Sequence, residues 1–233
     1  MSAEANTGRA APPTLQVTDL SRTYDELAAL DSVDLALPAG ELVALIGPNG
    51  AGKTTLLTTA AGLLEPSEGT VRIDGFPAGS LEARSRASYL PDAPVLYDDL
   101  SLGEHLEYIG RMHGVADWLD RGSQLLGRLG LAEWADNLPS QLSRGMRQKV
   151  SIALGFIRPF SLMLADEPFD GLDPPSRSTL FELFGEAIGN RATVVVSTHL
   201  REVFERADRC LALADGELAY DGPGDGYRFT ELR

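Results

Sequence analysis

The stretch Glu41-Leu-Val-Ala-Leu-Ile-Gly47-Pro-Asn-Gly-Ala-Gly-Lys53-Thr54 decides the fold. It opens as a short apolar run that breaks at glycine, and a helical pattern follows from Lys53 to about Leu63. Between them, Gly47-Pro48-Asn49-Gly50-Ala51-Gly52-Lys53-Thr54 matches G-x-x-x-x-G-K-[ST] at every fixed position. A strand before and a helix after are the setting in which that pattern cradles phosphate. Gly47, Gly50 and Gly52 permit backbone conformations and close approach that side chains would block. The loop's N–H groups then face a phosphate chain, aided by the helix N-terminus. Lys53 supplies a cation for the β- and γ-phosphates, and the Thr54 hydroxyl, with Thr55 beside it, is placed to ligate Mg2+. These residues describe a nucleotide site.

Working outward, Leu162-Met-Leu-Ala165-Asp166-Glu167 is an apolar strand ending in two carboxylates. Beside a phosphate loop, Asp166 suits Mg2+ or its water shell. Adjacent strand residues face opposite ways, which turns Glu167 toward the attacking water as base or orienting group. Val194-Val-Val-Ser-Thr-His199 is a third apolar strand, closed by a histidine suited to the γ-phosphate. Tyr24 lies ahead of the core and can stack on adenine; alone it would read as a packed aromatic.

Thr14 to Asp19, Val33 to Leu37 and Thr70 to Asp74 have the look of antiparallel strands punctuated by glycine. Strands and helices alternate around them, giving an α/β core. From about Asp92 to Arg158 the strand signals vanish. Ser101 with Glu104 makes a capping box, Gly114 can close that helix, and Asp117 to Leu129 and Ser143 to Ile157 continue the helical pattern. This is an inserted helical lobe. Residues 1–13, rich in Ala, Ser, Thr and Pro, read as a disordered tail without the features of a secretory signal.

Composition narrows the function. The 233 residues suffice for one large domain or one domain with an insert, and no apolar run approaches the roughly 20 residues of a membrane span. One cysteine, Cys210, leaves no internal disulfide and suits a reducing cytosol. A net charge of −14 argues against nucleic acid as a partner and against direct adsorption to anionic lipid. If the protein works at a membrane, a partner must cross it.

Leu142-Ser143-Arg144-Gly145-Met146, followed by Arg147-Gln148-Lys149, resembles the LSGGQ signature of ABC ATPases. Asp170-Gly171-Leu172-Asp173-Pro174 is similar to that family's D-loop, and His199 to its switch histidine. The likeness runs from Tyr24, at the adenine-stacking position, to about Gly222. It implies a RecA-like P-loop NTPase core with an antiparallel β-subdomain and an inserted α-helical subdomain. The corresponding bounds are one ABC ATPase domain over residues 14–233, with core at 14–91 and 159–233 and helical subdomain at about 92–158. The resemblance further implies two chains clamping two MgATP head to tail, with Ser143, Arg144, Gly145, Met146 and Asp173 in nucleotide contact across the dimer. The residues alone permit a plainer reading of Ser143 as an N-cap, although a helix start with a hydroxyl is also an anion site.

This sequence departs from the family pattern in places. Asp92, in Tyr89-Leu-Pro-Asp-Ala-Pro, stands where the family's Q-loop has glutamine; its oxygen can approach Mg2+, but it is shorter and charged. Arg144 replaces a signature glycine and Met146 the glutamine. That variant most resembles ATPases of the ABC-2 class, which serve exporters. The implied assembly is a homodimer at the cytoplasmic face of the membrane, driving a separate polytopic permease. ABC-type ATPases of translation or repair are the competing expectation, but those carry paired units, coiled coils or basic tracts.

Overall fold

The computed structural model describes residues 12–224; most of the expected N-terminal tail, residues 1–11, lies outside the described residues. In chain order the strands and helices are β1 (Leu15–Tyr24), β2 (Leu27–Leu37), β3 (Leu42–Ile46), α1 (Lys53–Ala60), β4 (Glu68–Ile73) and β5 (Phe76–Pro77). Then come α2 (Leu81–Arg86), β6 (Ala87–Leu90), α3 (Leu102–Met112), α4 (Trp118–Arg128) and α5 (Arg144–Phe156). The chain ends with β7 (Leu162–Asp166), α6 (Pro174–Gly189), β8 (Thr193–Ser197), α7 (Arg201–Arg206), β9 (Arg209–Ala214) and β10 (Glu217–Pro223).

Two sheets form. The first is antiparallel, in the order β2-β1-β4-β5. The second runs β10-β9-β3-β8-β7-β6 and is parallel except for the β9–β10 hairpin at its edge. The apolar runs of β3, β7 and β8 follow from their position: all fifteen of their residues are buried, because both sheet faces are covered. Alternate residues serve different cores. Val43 and Leu45 pack with α1 and the antiparallel sheet, whereas Leu42, Ala44 and Ile46 face the helices on the other side.

The helices from α3 to α5 interrupt the chain between β6 and β7. Ser101 and Glu104 cap α3 reciprocally, Ser101 N donating to Glu104 Oε2 at 2.7 Å and Glu104 N to Ser101 Oγ at 3.3 Å. Gly114 follows the end of α3 with φ of 68°. The apolar faces of these helices do not form a core of their own. Leu106, Leu125 and Val150 share one cluster with Ala165 and Val196 of the sheet and Phe184 of α6. The chain ends its parallel strands β3, β7 and β8 at one edge, where the polar residues after each strand gather.

Candidate functional site

That edge carries the phosphate loop. β3 delivers the chain into the loop, and α1 begins at Lys53 behind Gly52, which has φ of 100° and offers no side-chain cap. The N-terminal N–H groups of α1 are therefore left to a ligand. All three loop glycines have positive φ, and at two of them the close approach comes from the protein's own backbone. A Cβ on Gly47 would lie 2.3 Å from Leu213 O, and one on Gly52 would lie 2.4 Å from Ala29 O. Those two glycines admit neighbouring protein backbone rather than ligand; only Gly50, with φ of 83°, faces open space.

Lys53 is buried, and its Nζ donates to Gly47 O at 2.7 Å and Pro48 O at 3.1 Å. Burial pulls its pKa down, and the Glu167 and Asp166 carboxylates push it back up. Asp166 ends β7 with both carboxylate oxygens engaged. Oδ2 accepts from Thr54 Oγ1 at 2.6 Å and Oδ1 from Ser197 Oγ at 2.5 Å. Two of the three expected metal ligands thus meet across the loop, a hard-oxygen pair of the kind that suits a small divalent cation, while the third, Asp92, lines the same cavity.

Glu167 stands beside Asp166, but not by strand alternation. The strand stops at Asp166, and Glu167 takes φ of 43°, left-handed backbone that costs a non-glycine residue energy. Ser197 holds the kink: Glu167 N donates to Ser197 Oγ at 2.9 Å and to Ser197 O at 3.2 Å. The Glu167 carboxylate is 3.2 Å from His199 Nε2. Burial raises the Glu167 pKa, against the opposing pull of His199 and Lys53. A carboxylate poised in this way is suited to general-base work. His199 itself lies two residues past the end of β8 and is exposed, not the buried strand terminus that the sequence suggested.

Together these groups line a cavity of about 290 Å³, made by Ala29, Asn49, Gly50, Gly52, Lys53, Thr54, Thr55, Asp92, Asp166 and Glu167. Pro48 and Ala51 shape the loop from behind, with Ala51 N donating to Pro48 O at 3.2 Å. Tyr24 is not among the lining residues. It ends β1, partly exposed, with the Arg22 guanidinium over its ring at 4.7 Å.

The signature stretch lies elsewhere. Ser143 is the N-cap of α5 and accepts from Met146 N at 3.2 Å. Ser143 and Arg144 are exposed and Gly145 and Met146 half-buried, and none of the four lines the phosphate-loop cavity. The start of α5 is instead braced against the segment after β7. Gln148 Nε2 donates to Pro168 O, Lys149 Nζ bonds Asp173 Oδ2 at 3.3 Å, and a Cβ on Gly145 would lie 2.7 Å from Gly171 O. Asp173 also caps α6, accepting from Ser176 N, which holds its carboxyl below the ordinary range.

Sequence reasoning missed Ser197, Gln148 and Lys149. The signal for Ser197 was slight: a single hydroxyl closing an apolar strand of the core. For Gln148 and Lys149 it was their place directly after the signature residues, in the first turns of α5, with no role attached.

Comparison with known proteins matches residues 30–170 to the family model described as "ABC transporter". A second model, described as "AAA domain, putative AbiEii toxin, Type IV TA system", matches the shorter span 137–204. The chain is 36% identical over 210 residues to the SkfA peptide export ATP-binding protein SkfE of Bacillus subtilis (strain 168), covering 89% of this chain and 88% of that one. It is 34% identical over 205 residues to the Nod factor export ATP-binding protein I of Cupriavidus metallidurans, covering 86% and 68%. Among solved structures, an ATP-binding subunit of an ABC transporter superposes with a TM-score of 0.86 at 34% identity, covering 91% of each chain. The dimeric post-hydrolysis cassette MJ0796, bound to ADP and Pi, superposes at 0.84 with 27% identity, covering 91% of this chain and all of that one.

Proposed function

The chain belongs to the ABC transporter family as an ATP-binding, ATP-hydrolysing subunit, and we propose that it acts as a homodimer around two MgATP to power export through a separate permease. One observation carries the reading. The phosphate loop, Asp166 and Glu167 line one cavity, while the signature at the start of α5 lies outside it, exposed and available to a second copy. A dimeric relative bound to ADP and Pi supports the pairing, and relatives named for peptide and Nod factor export support the direction.

The cavity's charges support Mg2+ as cofactor. Asp92, Asp166 and Glu167 face one lysine, so a polyphosphate would enter against a net negative lining. A divalent cation offsets that repulsion, and Thr54 and Asp166 would hold it. When bound, Mg2+ neutralises charge on the β- and γ-phosphates. Lys53 would bind the same oxygens, Glu167 would take a proton from the attacking water, and His199 would orient the Glu167 carboxylate.

No helix among the described residues is long and apolar enough to cross a membrane; relatives named as export ATP-binding proteins support a separate permease, with this chain peripheral to it. Asp92 supports a route between them. It lines both the nucleotide cavity and an adjoining groove with Leu96, Asp98, Arg144 and Arg147.

Glu167→Gln tests the proposal, since it keeps shape while removing basicity. It should retain ATP, lose hydrolysis by about 10²–10⁴-fold, and run as a dimer on gel filtration with MgATP but as a monomer without. A variant that stays monomeric with bound MgATP would contradict the self-dimer.

A further inference from the structure

A second cavity, of about 440 Å³, lies between the inserted helices and the core. α4 and the residues that close α5 form one wall and α6 the other, and it shares no residue with the nucleotide cavity. Pockets that take small organic ligands run from about 300 to 1,000 Å³. Two chemistries meet here. Leu125, Phe156, Phe160 and Leu183 supply apolar surface, the two phenyl rings lying edge to face at 5.6 Å. Arg121, Arg128 and Arg158 supply three guanidinium groups against one lining carboxylate, Glu186.

Those charges do not balance. Arg128 is paired, with Glu186 at 2.9 Å and Glu182 at 3.4 Å. Arg158 is not, although it is only 8% exposed. Its guanidinium donates to two backbone carbonyls, Ser85 O and Ala87 O, which among the described residues leaves three of its five donors. Arg121 makes one long bond, to Phe156 O at 3.4 Å. Neither Arg121 nor Arg158 has a carboxylate within ion-pair distance among the described residues. A buried cation without a counter-ion is expensive, and here it sits in a chain whose net charge is −14. Burial also draws the Arg158 pKa below its ordinary value, the direction expected of a cation whose charge nothing offsets.

We propose that this cleft binds an organic monoanion, its carboxylate held by Arg121 and Arg158 and its apolar body laid on Phe156, Phe160, Leu125 and Leu183. Such a ligand bridges α4 and α6 without touching the nucleotide cavity, and so occupies a site apart from ATP.

Decanoate below its micelle concentration is the probe, titrated calorimetrically into the purified chain. It should bind one per chain. Decanol, which keeps the body without the charge, and inorganic phosphate, which keeps the charge without the body, should each bind at least about tenfold more weakly. Arg121 is half-buried, and Arg121→Gln should weaken decanoate by about tenfold while leaving ATP hydrolysis unchanged. If Arg121→Gln melts below the wild type, Phe160→Ala carries the same test through the apolar half. Lys53→Ala, which removes the cation of the other anion site, should bind decanoate as the wild type does. No binding heat, equal binding of decanol, unchanged affinity in both cleft variants, or loss in Lys53→Ala would each overturn the site.

Discussion

Two helices begin where the proposed dimer would hold nucleotide, and they begin differently. α1 starts behind Gly52 with no side-chain cap, its first turn opening into a cavity lined by Lys53, Thr54, Asp166 and Glu167. α5 starts behind Ser143, which satisfies its own helix by accepting from Met146 N, on an exposed surface. The first helix start is built into a pocket within one chain. The second is self-sufficient within the chain and acquires a ligand only if another molecule brings one. On the proposed dimer the contrast defines two half-sites, a concave one equipped for chemistry and an exposed one, here called convex, that would cover a partner.

The sharpest way to break the concave half is Lys53→Ala. Among the described residues its Nζ bonds only carbonyls of its own loop, so the fold should survive while steady-state ATP hydrolysis falls by about 10²–10³-fold. A folded Lys53→Ala chain with unchanged turnover would remove the loop from the site. Ser197→Ala probes the same half from behind. Ser197 holds both the Asp166 carboxylate and the Glu167 backbone, so its loss should lower kcat by about 10–100-fold with little change in ATP affinity. A loss of affinity with kcat intact would mean that Ser197 shapes the binding cavity rather than the reacting groups.

The convex half responds through packing. Gly145→Ala places a methyl against Gly171 O and should cost about 1–3 kcal/mol in urea unfolding, along with a displaced start of α5. Unchanged stability would show that the two segments separate freely. The smallest effect is one of pH. Burial raises the Glu167 pKa, and the base acts only when deprotonated, so hydrolysis should fall on acidification at a pH above the ordinary glutamate value of about 4.3. That acid limb should vanish from the residual rate of Glu167→Gln.

The two halves were not equally legible in the sequence. The phosphate loop was, because its glycines, lysine and threonine act within eight consecutive residues and the flanking strand and helix declare themselves by apolar pattern. Asp166 was legible as the polar end of a buried strand. The placement of Glu167 was not, because its left-handed kink is held by Ser197, thirty residues further along the chain. That Gly47 and Gly52 permit close approach was legible, but not what approaches them, which is backbone from β9 and β2. Among the elements, β5, α2, β6, α6, α7, β9 and β10 escaped notice, α2 and β6 for a plain reason. A six-residue polar helix with only Ala83 buried, and a four-residue strand, carry too little periodicity to stand out. The signature at Ser143 reads as a simple helix cap both in sequence and in the isolated chain, and only its likeness to a family gave it meaning.

Mixing two inactive variants tests the two half-sites most directly. Lys53→Ala disables the concave half and Ser143→Arg the convex half, and each homodimer should be inactive. In a mixed dimer one composite site holds both lesions and the other holds neither. Random pairing at equal amounts makes about half of all dimers mixed, so with independent sites the mixture should recover roughly a quarter of wild-type ATP hydrolysis. With subunit exchange verified, recovery above the sum of the separate variants is the predicted result. A mixture no more active than its parts would contradict a site built from the α1 start of one chain and the α5 start of another.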